Sequence, residues 1–387
     1  MLLRNSCWHV LVLGLFPLAS AASDIQAQDA DWRLLATNAS GYSQPDCCPN
    51  FWSLARLAVE SPAAAVAEMK RSPLYVERKP IAPPTERLLG RPNALPIVLL
   101  HGIADYCRNP WVQSLLEGAS QKLGVYAACI ATSEDDMLDF LDTFFLNLQR
   151  ATDIVARKIR ANPIFKDGFN LIGISQGTLV SRAYIERYND PPVDSFLSIH
   201  GIVTGISGVP KCFHQGKPLG SVCRALAETL GDLAYSPEIQ AVLFPANDLR
   251  DPLRTGSEAY LRHSPIADLN NERFVKKRYT ANFARVKKFA MIKALQDSVV
   301  YPNEASWWGE FSDGSYTTLS HMRDTKLYHE DLFGLKTADQ AGKIHFNFTD
   351  GDHVEFSDAE FYGWLDLYFA GTATSDANRL EPFEIVV

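Results

Sequence analysis

The chain has 387 residues, of which 47% are hydrophobic, 11% aromatic and 21% charged, a composition that excludes a disordered, collagen-like or coiled-coil polymer. Its 37 Lys and Arg stand against 45 Asp and Glu, a net charge of −8, so it lacks the basic footprint that nucleic-acid binding needs. The length fits two or three domains, or one large α/β domain with a buried core.

The first element is an apolar run from Val10 to Leu18, preceded by Arg4 and followed by the small residues Ala19-Ser20-Ala21. This is the pattern of a secretory signal peptide cut near Ala21. The run is too short to cross about 30 Å of hydrocarbon, and Pro17 interrupts it, so no stable membrane span is expected. Removing residues 1–21 takes away Arg4 and Cys7, leaving a net charge of −9 and six cysteines. An even count in a secreted chain points to disulfides, and no C-x-x-C pair is present to suggest a zinc site. The best local pair is Cys212 with Cys223, which closes a short loop around Gly216, Pro218 and Gly220. The sequons at Asn38 and Asn347 are candidate glycosylation sites.

Residues 22–95 read as an N-terminal extension: one helical stretch, Phe51 to Met69, then a linker carrying Pro73, Pro80, Pro83, Pro84 and Pro92. After Pro96 come strand-length apolar runs at Ile97 to His101, Val125 to Ile130, Phe169 to Ile174, Phe196 to His200, Phe289 to Leu295 and Ile344 to Phe348. Most are apolar on both faces, as strands buried between helix layers are. Met137, Leu141, Phe144, Phe145, Leu148, Val155 and Ile159 predict one long amphipathic helix between the second and third strands. Further helices are expected over Gly177 to Tyr188 and Asp358 to Phe369. This alternation predicts a mostly parallel sheet with helices on both faces. Gly205 to Val286 contains no obvious sheet strand and is expected to form a helical cap.

Gly173-Ile174-Ser175-Gln176-Gly177 follows an apolar strand and opens a helix, the context of a nucleophile elbow whose tight turn requires glycine on both sides. Ser175 is therefore the candidate nucleophile. A serine needs a base, and the base an orienting acid, in the chain order Ser, acid, His. Of the histidines far downstream, His345 lies inside a strand, whereas His321 and His329 flank a polar stretch. His353, in Thr349-Asp350-Gly351-Asp352-His353, sits on the loop after the last strand, where a catalytic His belongs. Asp297 directly follows the strand ending at Leu295 and is the candidate acid; a turn-capping role is its alternative. Asp352 is a poorer candidate, because adjacent side chains in a loop seldom face one another. The oxyanion donors would be the backbone N–H groups of Gln176 and Ile103, with His101 holding the loop by a structural hydrogen bond.

Several stretches together resemble the palmitoyl-protein thioesterases: PIVLLHGIADYCRNP (96–110), FNLIGISQGTLVSRAYIERYNDPPV (169–193), GISGVPKC ending at Cys212, KKFAMIKALQDSVVYPNEASWWGEF (287–311), LFGLKTADQAGKIHF (332–346) and GDHVEFS (351–357). The resemblance covers residues 96–370. It implies an α/β-hydrolase fold over residues 96–375, with a cap insertion at about 205–286 and a tail at 376–387. It implies a lysosomal or secreted serine hydrolase that removes long-chain acyl groups from cysteine thioesters of proteins or peptides, with no cofactor or metal. It also implies Ser175, Asp297 and His353 as triad and the Gln176 and Ile103 amides as oxyanion hole. Leu226, Leu230, Leu233 and Leu243 in the cap would line the acyl groove or simply pack in its core. Animal members commonly show two adjacent cysteines after the first loop; here the pair is Cys107-Arg108, and Cys129 is a candidate partner for Cys107. The extension with Cys47-Cys48 has no counterpart. A lipase or carboxylesterase with the same triad, or a catalytically silent acyl-binding module, is the alternative reading.

Overall fold

Four consecutive apolar residues, Ile-Val-Leu-Leu, form strand β1 (Ile97–Leu100), buried along its whole length. A strand with both faces apolar is stable only between two helix layers, and the computed structural model places it there. The structure describes residues 57–71, 77–84, 95–208, 213–214, 217–218, 234–370 and 383–386. The signal-peptide reading, Asn38, Cys47, Cys48, Cys212, Cys223, Leu226, Leu230 and Leu233 lie outside the described residues.

The main sheet contains β1, β2 (Ala127–Ile130), β3 (Phe169–Ile174), β4 (Val193–Ile199), β5 (Lys288–Ala294), β6 (Ile344–Thr349) and β7 (Phe383–Val386), in the spatial order β6-β5-β4-β3-β1-β2-β7. Every pairing is parallel. The six strands expected from the sequence are present. The seventh, β7, pairs with β2 in the register Phe383↔Ala127, so the segment expected as a plain tail completes the sheet edge.

Helices α2 (Pro110–Leu123), α3 (Asp136–Phe145), α4 (Leu148–Ala161), α5 (Gln176–Arg187), α6 (Lys277–Arg285) and α7 (Asp358–Tyr368) follow successive strands. The expected single helix from Met137 to Ile159 is two helices, α3 and α4. Asn147 breaks it: its backbone is extended, its side chain caps Arg150 N–H, and its Nδ2 donates to Ala241 O at 2.7 Å. Such a cap offers the backbone an alternative to continuing the helix. One apolar cluster joins α4, α5 and α6 to one face of the sheet; a second joins α2 and α7 to the other.

Within 205–286 the described residues form short helices at Pro237–Val242, Phe244–Asn247, Glu258–His263 and Pro265–Leu269 before α6. α6 itself belongs to the helix layer, since Tyr279 and Phe283 enter the main core. Arg182 of α5, fully buried, pairs with Glu186 at 2.7 Å and donates to Asn270 Oδ1 at 2.9 Å, tying this region to the sheet's own helix. Before the sheet, helix α1 (Pro62–Lys70) starts at a proline and buries Ala65, Val66 and Met69. These residues pack with Phe140, Phe144, Ile239 and Leu243, so this part of the extension is seated on α3 and the insertion.

Candidate active site

The turn from β3 into α5 carries Ser175 at φ +51° and ψ −120°, a conformation that a non-glycine residue adopts only when its surroundings enforce it. The flanking glycines make it possible. A Cβ on Gly177 would lie 2.2 Å from Leu100 O and 2.6 Å from His101 O, and one on Gly173 would lie 2.8 Å from Thr178 Cα. The turn therefore presses against the end of β1, and Ser175 projects beyond the carboxyl ends of the strands.

His353 reaches Ser175 from the loop after β6. Its Nε2 lies 2.8 Å from Ser175 Oγ, and its Nδ1 lies 2.8 Å from Asp297 Oδ2. Asp297, just past β5, has a fully buried side chain, and its other oxygen accepts from the amides of Val299 (2.8 Å) and Val300 (2.7 Å). The turn-capping alternative is thus realised together with the contact to His353: one carboxylate oxygen caps the turn and the other faces the imidazole. Asp352 is directed elsewhere, accepting from Ser298 N at 2.7 Å and Ser298 Oγ at 2.9 Å. His321 and His329 are exposed, and His345 rests against the Tyr368 ring.

Gln176 occupies the first turn of α5, where a backbone N–H has no partner within the helix. Its side chain donates to Thr143 O at 3.0 Å, and Thr143 Oγ1 accepts from Ala104 N at 3.0 Å, so α3 braces both the elbow and the loop bearing Ile103. Gly102 brings that loop within contact of Ser175, because a Cβ there would stand 3.1 Å from Ser175 Cβ.

Beneath the loop, His101 Nε2 lies 3.2 Å from Asp139 Oδ2 and Nδ1 lies 3.1 Å from Gly102 O. Burial opposes a charge on this ring, but the Asp139 carboxylate, then Asp105, raise its pKa to about 9. His101 is thus an imidazolium donating at both nitrogens, the structural role expected of it. Asp139 also accepts from Cys107 N and from both the amide and hydroxyl of Thr132. Cys107 is joined to Cys129 with Cα atoms 5.6 Å apart, as β1 and β2 are neighbours. His101, Cys107 and Asp139 converge as metal ligands could, but the Cys107 sulfur is committed to the disulfide and the other two to an ion pair.

Asn347 lies on β6, half buried; its Oδ1 accepts from Phe348 N and its carbonyl from Trp307 Nε1. Two supporting groups were not read from the sequence. Thr143 is one, with no local signal. The other is His200, which directly follows β4 next to Gly201 and could have been noticed as a histidine at the end of an apolar run.

The serine hydroxyl, imidazole and carboxylate form one continuous line of hydrogen-bond contacts, a geometry that can pass a hydroxyl proton to Nε2 as Oγ attacks an acyl carbon. Residues 96–353 match the family model described as palmitoyl protein thioesterase. Among curated relatives, the chain is 32% identical over 268 residues to palmitoyl-protein thioesterase 1 of Caenorhabditis elegans, covering 67% of this chain and 87% of that protein. It is 30% identical to palmitoyl-protein thioesterase 3 of Dictyostelium discoideum, covering 67% and 84%, and 28% identical to human lysosomal thioesterase PPT2, covering 66% and 80%. With the family model spanning two thirds of the sequence, a range that includes Ser175, Asp297 and His353, the chain belongs to the palmitoyl protein thioesterase family.

Proposed function

We propose that Ser175, His353 and Asp297 are the catalytic triad of a hydrolase that cleaves long-chain acyl groups from cysteine thioesters in S-acylated proteins or peptides. The observation that carries this reading is the continuous contact from Ser175 Oγ through His353 to Asp297, at 2.8 Å in both steps. Neutral His353 carries its proton on Nδ1, hydrogen-bonds it to the Asp297 carboxylate, and accepts the Ser175 hydroxyl proton at Nε2, becoming an imidazolium. Oγ bonds to the acyl carbon, and the carbonyl oxygen becomes an oxyanion facing the Ile103 and Gln176 amides. Collapse breaks the C–S bond, and the thiol leaves with the proton from His353. Water then repeats the sequence on the acyl-serine, releasing the fatty acid and restoring the hydroxyl.

A thiol leaves readily, so selectivity has to come from apolar walls that accept the acyl chain. The cluster of Phe140, Phe144, Ile239, Leu243 and Met69, with Ile103 at its margin, supports that role for the α3 face and the insertion. A secretory-route location, lysosomal or extracellular, with glycans at Asn38 or Asn347, fits the N-terminal pattern and the lysosomal relatives.

A fluorophosphonate probe is expected to label the wild-type chain and not Ser175→Ala, which should also lose hydrolysis of an S-palmitoyl peptide. Absence of labelling in the wild type, or preference for triglyceride over the thioester, would overturn the reading.

A further inference from the structure

His200 is a second histidine at the site, and the chemistry described so far does not use it. It follows β4 directly, its side chain is fully buried, and its backbone is held at φ +48°. A non-glycine residue in the left-handed region is strained and persists only where other contacts fix it. The backbone contact is ordinary: His200 N donates to Ile292 O at 2.9 Å, extending the sheet ladder. The ring makes the unusual contacts. Its Nδ1 accepts from Val354 N at 2.7 Å, and its Nε2 lies 3.0 Å from Thr349 Oγ1.

These partners settle the tautomer. A backbone N–H can only donate, so Nδ1 keeps a lone pair, and the ring proton sits on Nε2 and is donated to the Thr349 hydroxyl. Protonation would place a hydrogen on Nδ1 against the Val354 amide. Burial, then the neighbouring His353, push the pKa of His200 down to about 3, in agreement with that geometry. Thr349 ends β6, and Val354, itself at φ +56°, follows His353 immediately. One ring therefore fastens both ends of the loop that carries His353. The two imidazole centroids are 6.1 Å apart, and Phe356 packs edge-on against the His200 ring at 6.1 Å.

We propose that His200 is a positioning residue for hydrolysis, an imidazole whose Nδ1 accepts from the Val354 amide and so sets His353 Nε2 in line with Ser175 Oγ. It touches no reacting atom; it acts through the loop. The inference rests on the triad assignment above, and its test is arranged to separate the two.

His200→Gly relieves the backbone strain while removing the ring, so a loss of activity cannot come from φ. His200→Asn restores an acceptor oxygen near the Nδ1 position in a residue that tolerates positive φ. With an S-palmitoyl peptide, His200→Gly is expected to lower kcat at least tenfold with KM within twofold of wild type. His200→Asn is expected to recover kcat to within about threefold, with thermal midpoints recorded for both variants. Wild-type kcat in His200→Gly overturns the inference, as does a folded His200→Asn that is as impaired as the glycine variant. If His200→Gly fails to fold, the asparagine variant decides: near-wild-type kcat supports the acceptor role, and loss of kcat at an unchanged midpoint overturns it. Failure of the triad assignment would look different, because Ser175→Ala would then retain turnover or the wild type would escape the fluorophosphonate probe.

Discussion

The two aspartates near His353 give the sharpest test of the site, because they differ by where their oxygens are committed. In Asp297→Asn, the amides of Val299 and Val300 still demand an acceptor, so the new carboxamide oxygen stays with them and its NH2 is turned toward His353 Nδ1. An NH2 group can only donate, so Nδ1 must give up its proton and Nε2 must carry one, aimed at Ser175 Oγ. The imidazole then cannot accept the serine proton. The variant also loses the charge that stabilises the imidazolium. Two unit charges about 4 Å apart at an effective dielectric constant near 20 interact by about 4 kcal/mol, which corresponds to roughly a thousandfold in rate. In Asp352→Asn, the oxygen can still accept from the Ser298 and His353 amides, and the His353 ring keeps its carboxylate partner. Turnover there is expected to stay within about tenfold of wild type, since only a hydrogen bond worth about 1 kcal/mol is altered. Initial rates on an S-palmitoyl peptide, with thermal midpoints to establish folding, measure both. Asp297→Asn turning over within tenfold of wild type would refute the assignment, as would a larger loss in Asp352→Asn.

Gly177→Ala should cost more than about 3 kcal/mol in urea unfolding, because its Cβ meets two backbone carbonyls that cannot yield. Gly363→Ala in α7 meets nothing within 4 Å and should instead gain up to about 1 kcal/mol of helix propensity; equal effects at the two sites would sink the argument. Replacing Cys107 and Cys129 together by serine opens a cross-link with a sequence separation of 22, for which chain entropy predicts a loss of about 3 kcal/mol; an unchanged unfolding midpoint would contradict it. His101 has its folded pKa raised from 6.5 to about 9. Its contribution to stability is therefore complete below about pH 6.5 and lost as pH rises through about 9. His101→Gln should flatten that decline in a pH series of unfolding free energies, and an unaltered slope would show that another group is responsible.

How far this site can be read from sequence follows the range of the contacts involved. β1 and β3 are legible because both of their faces are buried, so composition alone marks them, and the Gly-x-Ser-x-Gly turn is legible because its steric demands act on neighbours in sequence. The break at Asn147 is hidden because Phe144, Phe145 and Leu148 keep an apolar stripe across it, and the cap's second partner, Ala241, lies 94 residues away. β7 is hidden because four residues carry little periodic signal, and its stability as a strand comes from the free edge of β2. The Cys107–Cys129 bond depends on β1 and β2 being parallel neighbours, which places Leu99 opposite Cys129 and the following loop above it.

The extension carries the same lesson into function. α1 has only a narrow apolar face, too short to fix a place for it by pattern. Yet Val66 and Met69 are buried with Phe140 and Phe144 of α3 and with Ile239 and Leu243 of the insertion, in a cluster whose margin includes Ile103. Three segments distant in sequence therefore share one apolar body beside the residue whose amide faces the oxyanion in the proposed reaction. A continuous set of contacts joins that loop to α1: Ala104 N bonds Thr143, Thr143 O holds Gln176, and Thr143 rides on the helix that α1 covers.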